Sequence, residues 1–169
     1  REALLFTHRG LSGPAILQIS SVWRQGELLT LDLLPGQDAQ ALLLARKQSR
    51  PNAELKTVLA EFLPQRLAHA LAETRLPNAP MARLRDRELT TVADTLQRWR
   101  LTPAGSEGYA KAEVTAGGVD TNGLQARTME ARAVPGLFFV GEAVDVTGHL
   151  GGFNFQWAWA SGVAAGRAL

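Results

Sequence analysis

GLFFVGEAVDVTGHLGGFNFQWAWASGVAAG, residues 136–166, is the stretch from which the rest of this sequence is read. Leu137-Phe138-Phe139-Val140 is an unbroken apolar run between Gly136 and Gly141, the pattern of a short strand covered on both faces, as in a parallel sheet. A loop carrying two carboxylates, Glu142 and Asp145, follows it. Gly151 and Gly152 then lead into an Ala- and Trp-rich helix that starts near Gly152 and runs to the end of the sequence. In an open α/β sheet, ligands lie beyond the carboxyl ends of the strands, so this loop is where a cofactor is expected. Paired glycines allow close backbone approach, and a helix N-terminus presents unbonded N–H groups with a partial positive charge.

Upstream, the organisation changes twice. Leu4 to Thr7 reads as a strand, and E-L-L-T-L-D-L from Glu27 to Leu33 reads as a second, closed by Pro35-Gly36 and paired with the first. Between them a short helix is expected, with Ser12 as N-cap, Pro14 just inside, and Ile16, Leu17, Ile19 and Val22 as a buried stripe. Residues 37–104 are rich in Ala, Leu and Arg at helical spacing. Helices are expected from Asp38 to about Gln48, after a cap at Asn52, from Pro64 to near Arg75, and from about Arg87 to Trp99 with Leu89, Val92, Ala93, Leu96 and Trp99 on one side. After Thr102-Pro103-Ala104-Gly105 the composition shifts to glycine and branched residues. A strand is expected near Tyr109 to Thr115, with turns at Gly117-Gly118 and Asp120-Thr121-Asn122-Gly123.

Bulk composition narrows the chemistry. A length of 169 residues with 46% hydrophobic content can bury a continuous core. The absence of cysteine excludes disulfides, thiolate nucleophiles and cysteine-held metal centres. No apolar run approaches the roughly 18 residues that cross a bilayer, so no membrane role and a cytoplasmic location are expected. Eighteen basic and sixteen acidic residues give a charge of +2, which makes a nucleic-acid partner unlikely. The sequence opens abruptly on a strand, so the chain is expected to be part of something longer.

The head of the last helix would suit an anion, and a reduced flavin is one, its charge spread over N1 and the C2 carbonyl oxygen. Amides near Gly152, Phe153 and Asn154 could stabilise it, while Glu142 or Asp145 would accept hydrogen bonds from ribityl hydroxyls. The same segment closely resembles the closing motif of the YhiN/BaiN-type bacterial flavoproteins, a group that includes aminoacetone oxidase-like proteins. The resemblance extends through VTAGGVDTNGL (Val114 to Leu124) and Arg127-Thr128-Met129-Glu130, and back to LLFTHRGLSGPAILQIS (Leu4 to Ser20).

This resemblance implies an α+β chain: the C-terminal fragment of a flavoprotein whose split, Rossmann-like FAD-binding domain receives an inserted β-barrel and a helical module. Residues 1–36 would finish the barrel, residues 37–104 would be the helical insert, and residues 105–169 would belong to the FAD-binding domain. The TAGGV loop would lie near the isoalloxazine. By position, the cofactor contacts would be Thr115, Gly117, Gly118, Gly141, Glu142, Asp145, Gly151, Gly152, Phe153 and Asn154. The strand–GxGxxG–helix that holds the pyrophosphate in such proteins has no counterpart here, and Gly148-His149-Leu150-Gly151-Gly152 lacks the context to replace it. The fragment alone is therefore expected to be colourless and the full-length protein yellow, with the N-terminal FAD-binding segment as a partner, NAD(P)H as electron donor and a small-molecule substrate.

The remaining candidates read as structure. His149 in the flavin loop could move a proton, but it reads first as a loop residue; His8 reads as a surface turn and His69 as a helix residue, and three dispersed histidines make no metal site. No catalytic acid or base stands out. Trp157 and Trp159 are expected to pack in a core. Arg83, Arg85, Arg87, Arg98 and Arg100 form the only basic cluster, and the interleaved Asp86, Glu88 and Asp94 make it read as a solvated face. The competing reading is a cofactor-free helical interaction module that binds a protein or nucleic acid.

Overall fold

A computed structural model describes all of residues 1–169, which group into two compact units: Gly26–Pro103, and Arg1–Gln25 together with Ala104–Leu169. Gly26–Pro103 is the helical one. The Asp38 carboxylate accepts the Ala41 N–H at 2.9 Å and caps α2 (Ala39–Ser49), whose last turn carries Arg46 and Lys47, favourably placed for the helix dipole. Asn52 does not cap the next helix. Glu54 occupies the N-cap of α3 (Leu55–Leu59), and the Asn78 side chain accepts the Lys56 N–H instead. Pro64 stands at the N-cap of α4 (Gln65–Thr74), which ends at Arg75. In α5 (Asp86–Gln97), Leu89, Val92, Ala93 and Leu96 recur at helical spacing and are all buried.

These faces meet in one core with Leu43, Leu55, Val58, Leu59, Leu71 and Met81. Fully burying each such leucine stabilises the fold by about 1.5–3 kcal/mol. The Gln97 side chain locks two helix ends together, donating to the Gln37 carbonyl at 2.7 Å and accepting the Ala39 N–H at 3.3 Å. Two strands close the unit. β3 (Leu29–Leu31) pairs antiparallel with β4 (Trp99–Leu101), Leu29 opposite Leu101 and Leu31 opposite Trp99. The expected partnership of residues 27–33 with residues 4–7 is thereby corrected. Trp99 belongs to this strand and not to the helix, and the Arg75 guanidinium lies over its ring at 5.0 Å.

In the other unit, β1 (Leu5–Phe6) forms a hairpin with β2 (Leu11–Ser12). Because Ser12 is paired there, the cap of α1 (Pro14–Ser20) falls on Gly13, with Pro14 in the first turn. The expected apolar stripe of α1 is not covered: Ile19 is 41% and Val22 71% exposed. Two further strands are also corrected. Residues 109–115 hold only a 3-10 turn, Gly108–Ala110, and Leu137–Val140 makes a single bridge, Glu130 opposite Phe138. A buried parallel strand needs neighbours on both edges, and here residues 129–131 pair antiparallel on one edge only. Leu137 and Val140 accordingly stay exposed. No sheet exceeds two strands, and no helix is long and apolar enough to cross a membrane.

The chain ends in α6 (Phe153–Gly166), with Gly152 as its N-cap. A small core of Leu124, Ala131 and Val144 lies beside it, with Val119, Phe139, Val146 and Trp157 packed around. Trp157 is thus core-packed as expected, whereas Trp159 is 74% exposed, with Phe155 at 76% and Val163 at 49% on the same side of the helix.

Candidate functional site

The TAGGV loop and the GEAVD loop come together as backbone against backbone. Val119 donates its N–H to the Ala143 carbonyl at 2.8 Å, and Asp145 donates its N–H to the Val119 carbonyl at 2.9 Å, a parallel bridge between Val119 and Val144. Gly118 makes this approach possible. A Cβ there would stand 2.8 Å from the Ala143 oxygen and 2.9 Å from the Asp145 nitrogen, and its φ of +146° is one that side chains rarely adopt. Next to it, the Asp145 carboxylate accepts the Gly117 N–H at 3.1 Å. One carboxylate oxygen is therefore used to fix the loop, and the exposed Asp145 side chain keeps its other oxygen for an external donor.

A second group forms around the head of α6. The Asn154 side chain accepts the Gly148 N–H at 2.6 Å and donates to the Gly148 carbonyl at 3.2 Å, clamping the loop 148–154 into a closed ring. Gln18 accepts the Leu150 N–H at 3.0 Å. Gly152 takes the left-handed conformation (φ 92°, ψ 1°), which a non-glycine residue adopts only with strain. No side chain caps the helix and no acidic residue lies in its first turn. The amides of Phe153, Asn154 and Phe155 find no backbone acceptor and stand unbonded at the positive end of the helix dipole.

Gly141 ties the two groups to the body of α6. Its N–H is accepted by the Ser161 hydroxyl at 2.9 Å, its carbonyl accepts the Trp157 indole N–H at 3.0 Å, and the Ser161 hydroxyl donates to the Trp157 carbonyl at 2.7 Å. Ser161, 2% exposed, is the buried polar residue of this unit and was missed in the sequence. Its signal was the Trp157/Ser161 pair four apart on one helix face.

Of the expected contact residues, Gly117, Gly118 and Asp145 are brought together at the bridge, and Gly151, Gly152, Phe153 and Asn154 at the helix head. Gly141 links to α6 through the buried hydroxyl. Thr115 and Glu142 are exposed and make no hydrogen bond, and His149 is exposed within the clamped loop.

Residues 1–114 match the HI0933-like protein barrel and H2TH domain. This chain belongs to the HI0933-like family. Membership bears out the flavoprotein resemblance read from the two ends of the sequence. Among relatives of this HI0933-like chain, the ribosomal RNA dihydrouridine synthase of Escherichia coli K12 is 53% identical over 170 residues, covering 100% of the chain and 42% of that protein. The protein of the same name from Haemophilus influenzae is 45% identical over 167 residues, covering 98% of the chain and 42% of its own length. The 3-dehydro-bile acid delta(4,6)-reductase of Clostridium scindens is 33% identical over 173 residues, covering 96% and 42%. The chain thus spans about two fifths of the length of these curated relatives.

Proposed function

We propose that this chain supplies the isoalloxazine and ribityl side of the FAD site in a flavin-dependent reductase, and that the substrate of the whole protein is ribosomal RNA. The observation that carries the flavin reading is the head of α6: an uncapped helix N-terminus with no carboxylate of its own, approached through glycines. Such an end favours electron-rich groups, and it fits the N1 and C2-carbonyl edge of a flavin. FAD, when bound, supplies the hydride chemistry. The amides of Phe153, Asn154 and Phe155 would hold that edge of the ring, Gly151 and Gly152 would let it approach, and Glu142 with the second oxygen of Asp145 would take ribityl hydroxyls. Gly117 and Gly118 would border the ring, with Thr115 at the mouth. The pyrophosphate and adenosine would be held by residues outside 1–169.

The domain assignment belongs to the same proposal. Residues 105–169 are part of the FAD-binding domain, residues 1–36 complete a barrel, and residues 37–104 are the helical insert on the substrate side. The exposed Phe155, Trp159 and Val163 on one side of α6 would be the apolar surface against which the remaining FAD-binding segment packs.

The substrate class follows the closer relatives: 53% and 45% identity to proteins named for ribosomal RNA, against 33% to a bile acid reductase. Nucleic acid, set aside on net charge alone, thereby replaces the small molecule as substrate. NAD(P)H is the electron donor.

The test uses the full-length protein. It is expected to purify yellow, to release FAD on denaturation, to be bleached anaerobically by NADH or NADPH, and to convert uridine to dihydrouridine in ribosomal RNA from a deletion strain, read as added hydrogen by nucleoside mass spectrometry. A folded full-length protein without flavin would overturn the proposal in favour of the cofactor-free interaction module.

A further inference from the structure

The basic cluster of the helical unit takes on a different meaning once its carboxylates are located. In sequence, Asp86, Glu88 and Asp94 dilute Arg83, Arg85 and Arg87. In the structure Asp86 and Asp94 are each paired with a cation outside these three arginines, and Glu88 is turned onto the backbone at the head of α5. Asp86 pairs with Lys47 at 2.7 Å, Glu88 accepts the backbone N–H of Arg85 at 2.7 Å, and Asp94 pairs with Arg98 one turn on. The three arginines are left exposed with no ion pair. Elsewhere in this unit Arg46, Lys47, Arg50, Lys56 and Arg98 all meet a carboxylate. Arg66, Arg75 and Arg100 also lack one, but they are scattered along the sequence, and Arg75 lies over the Trp99 ring.

The segment that carries them is rigid. Leu84 is 3% exposed and anchors it from below, while Ala82 donates its N–H to the Pro51 carbonyl at 2.8 Å, stitching it to the end of α2. Leu84 and Arg85 have extended backbone (ψ 128° and 154°) before α5 begins at Asp86. Extended chain advances about 7 Å per two residues, so Arg83 and Arg85 stand one step of a nucleic-acid phosphate chain apart on the same side. Guanidinium is the side chain best matched to phosphate, binding it with two parallel hydrogen bonds. With no carboxylate in direct ion pairing with any of the three, their guanidinium groups are available to an external polyanion.

We infer that Arg83, Arg85 and Arg87 form a docking strip for the phosphate backbone of RNA, positioning the substrate strand and not reading its sequence. This rests on the proposed RNA substrate and assigns the contact to the helical insert. Phosphate contacts fix register and set the salt dependence of binding.

The experiment measures binding of full-length protein to deproteinised ribosomal RNA by filter retention across a salt series. Replacing all three (Arg83→Gln, Arg85→Gln, Arg87→Gln) removes three phosphate contacts. It is expected to reduce the slope of log affinity against log salt by about 2–3 and affinity near 0.1 M salt by about 100-fold. The Arg→Lys triple variant keeps the charge and most of the slope. Arg98→Gln with Arg100→Gln, at the far end of α5 about 18 Å away, leaves it unchanged. Unaltered flavin absorption certifies that each variant is folded. A wild-type slope in the Gln triple variant overturns the docking strip alone. No RNA binding by the wild-type protein overturns the substrate proposal and the strip with it.

Discussion

Replacing Gly118 by alanine tests whether the two loops of the candidate site are held by backbone contact. The added Cβ would meet the Ala143 oxygen at 2.8 Å, the Asp145 nitrogen at 2.9 Å and the Val144 carbonyl carbon at 2.9 Å, all main-chain atoms that cannot rotate away. Relief requires the loops to part, which lengthens or breaks the two hydrogen bonds of the Val119–Val144 bridge. Each is worth about 1 kcal/mol. The φ of +146° adds strain of about 1–2 kcal/mol for any residue with a Cβ. Gly118→Ala is therefore expected to destabilise the protein by about 3–4 kcal/mol, a large part of a typical folding free energy.

Gly117→Ala provides the comparison. Its φ is +90°, but a Cβ there meets nothing within 4 Å, so only the strain remains, about 1–2 kcal/mol. Urea unfolding of the two full-length variants, followed by tryptophan fluorescence and by release of flavin, measures the difference. Equal midpoints for the two variants would refute the argument from close approach.

Three further outcomes follow from single side chains, two at the candidate site and one in the helical unit. Ser161→Ala leaves the Gly141 N–H buried without its acceptor and is expected to cost about 1–3 kcal/mol in urea unfolding, with Ser161→Thr milder. Asn154→Ala opens the clamp on Gly148 and should cost about 1–2 kcal/mol and weaken flavin retention, whereas Asn154→Asp keeps the accepting bond but sets a carboxylate oxygen against the Gly148 carbonyl in place of the donated one. Glu61 receives a hydrogen bond from Arg46 at 2.6 Å and another from Arg50, and these hold its carboxyl below the ordinary value of 4.5. A depressed value gives stability that is present above about pH 4.5 and is lost as pH falls through the folded value. Glu61→Gln should therefore lower stability by less than about 1 kcal/mol at pH 7, and the gap from wild type should close in acid, as read by unfolding at both pH values.

Where structure was written locally, the sequence could be read. Asp38, Pro64 and the Leu89/Val92/Leu96 spacing carry their own start signals and faces, and α2, α4 and α5 lie within a residue or two of expectation. Pairings set by distant residues could not. The partner of β3 lies at Trp99–Leu101, and nothing near Leu29 announces it. The apolar run at Leu137–Val140 has the composition of a buried parallel strand, but its backbone bonds only residues 129–131, antiparallel and on one edge, so composition misled. At the candidate site, the glycines and carboxylates were legible as residue types. The contact of Gly117 and Gly118 with residues 143–145 was not, because it depends on a turn geometry spanning nearly thirty positions, and neither was the Ser161 hydroxyl that fastens Gly141.

The antiparallel pairing of β3 with β4 puts the two ends of the helical unit side by side, Leu29 against Leu101. Everything strung between them is thus an excursion that returns to its point of departure, and lengthening it costs little, about 0.6 kcal/mol of closure entropy per doubling. Such a stem makes the unit a replaceable cassette. Its outward surface is free to be traded for another while the chain on either side of the stem keeps its course, an economical way for one scaffold to acquire new clients.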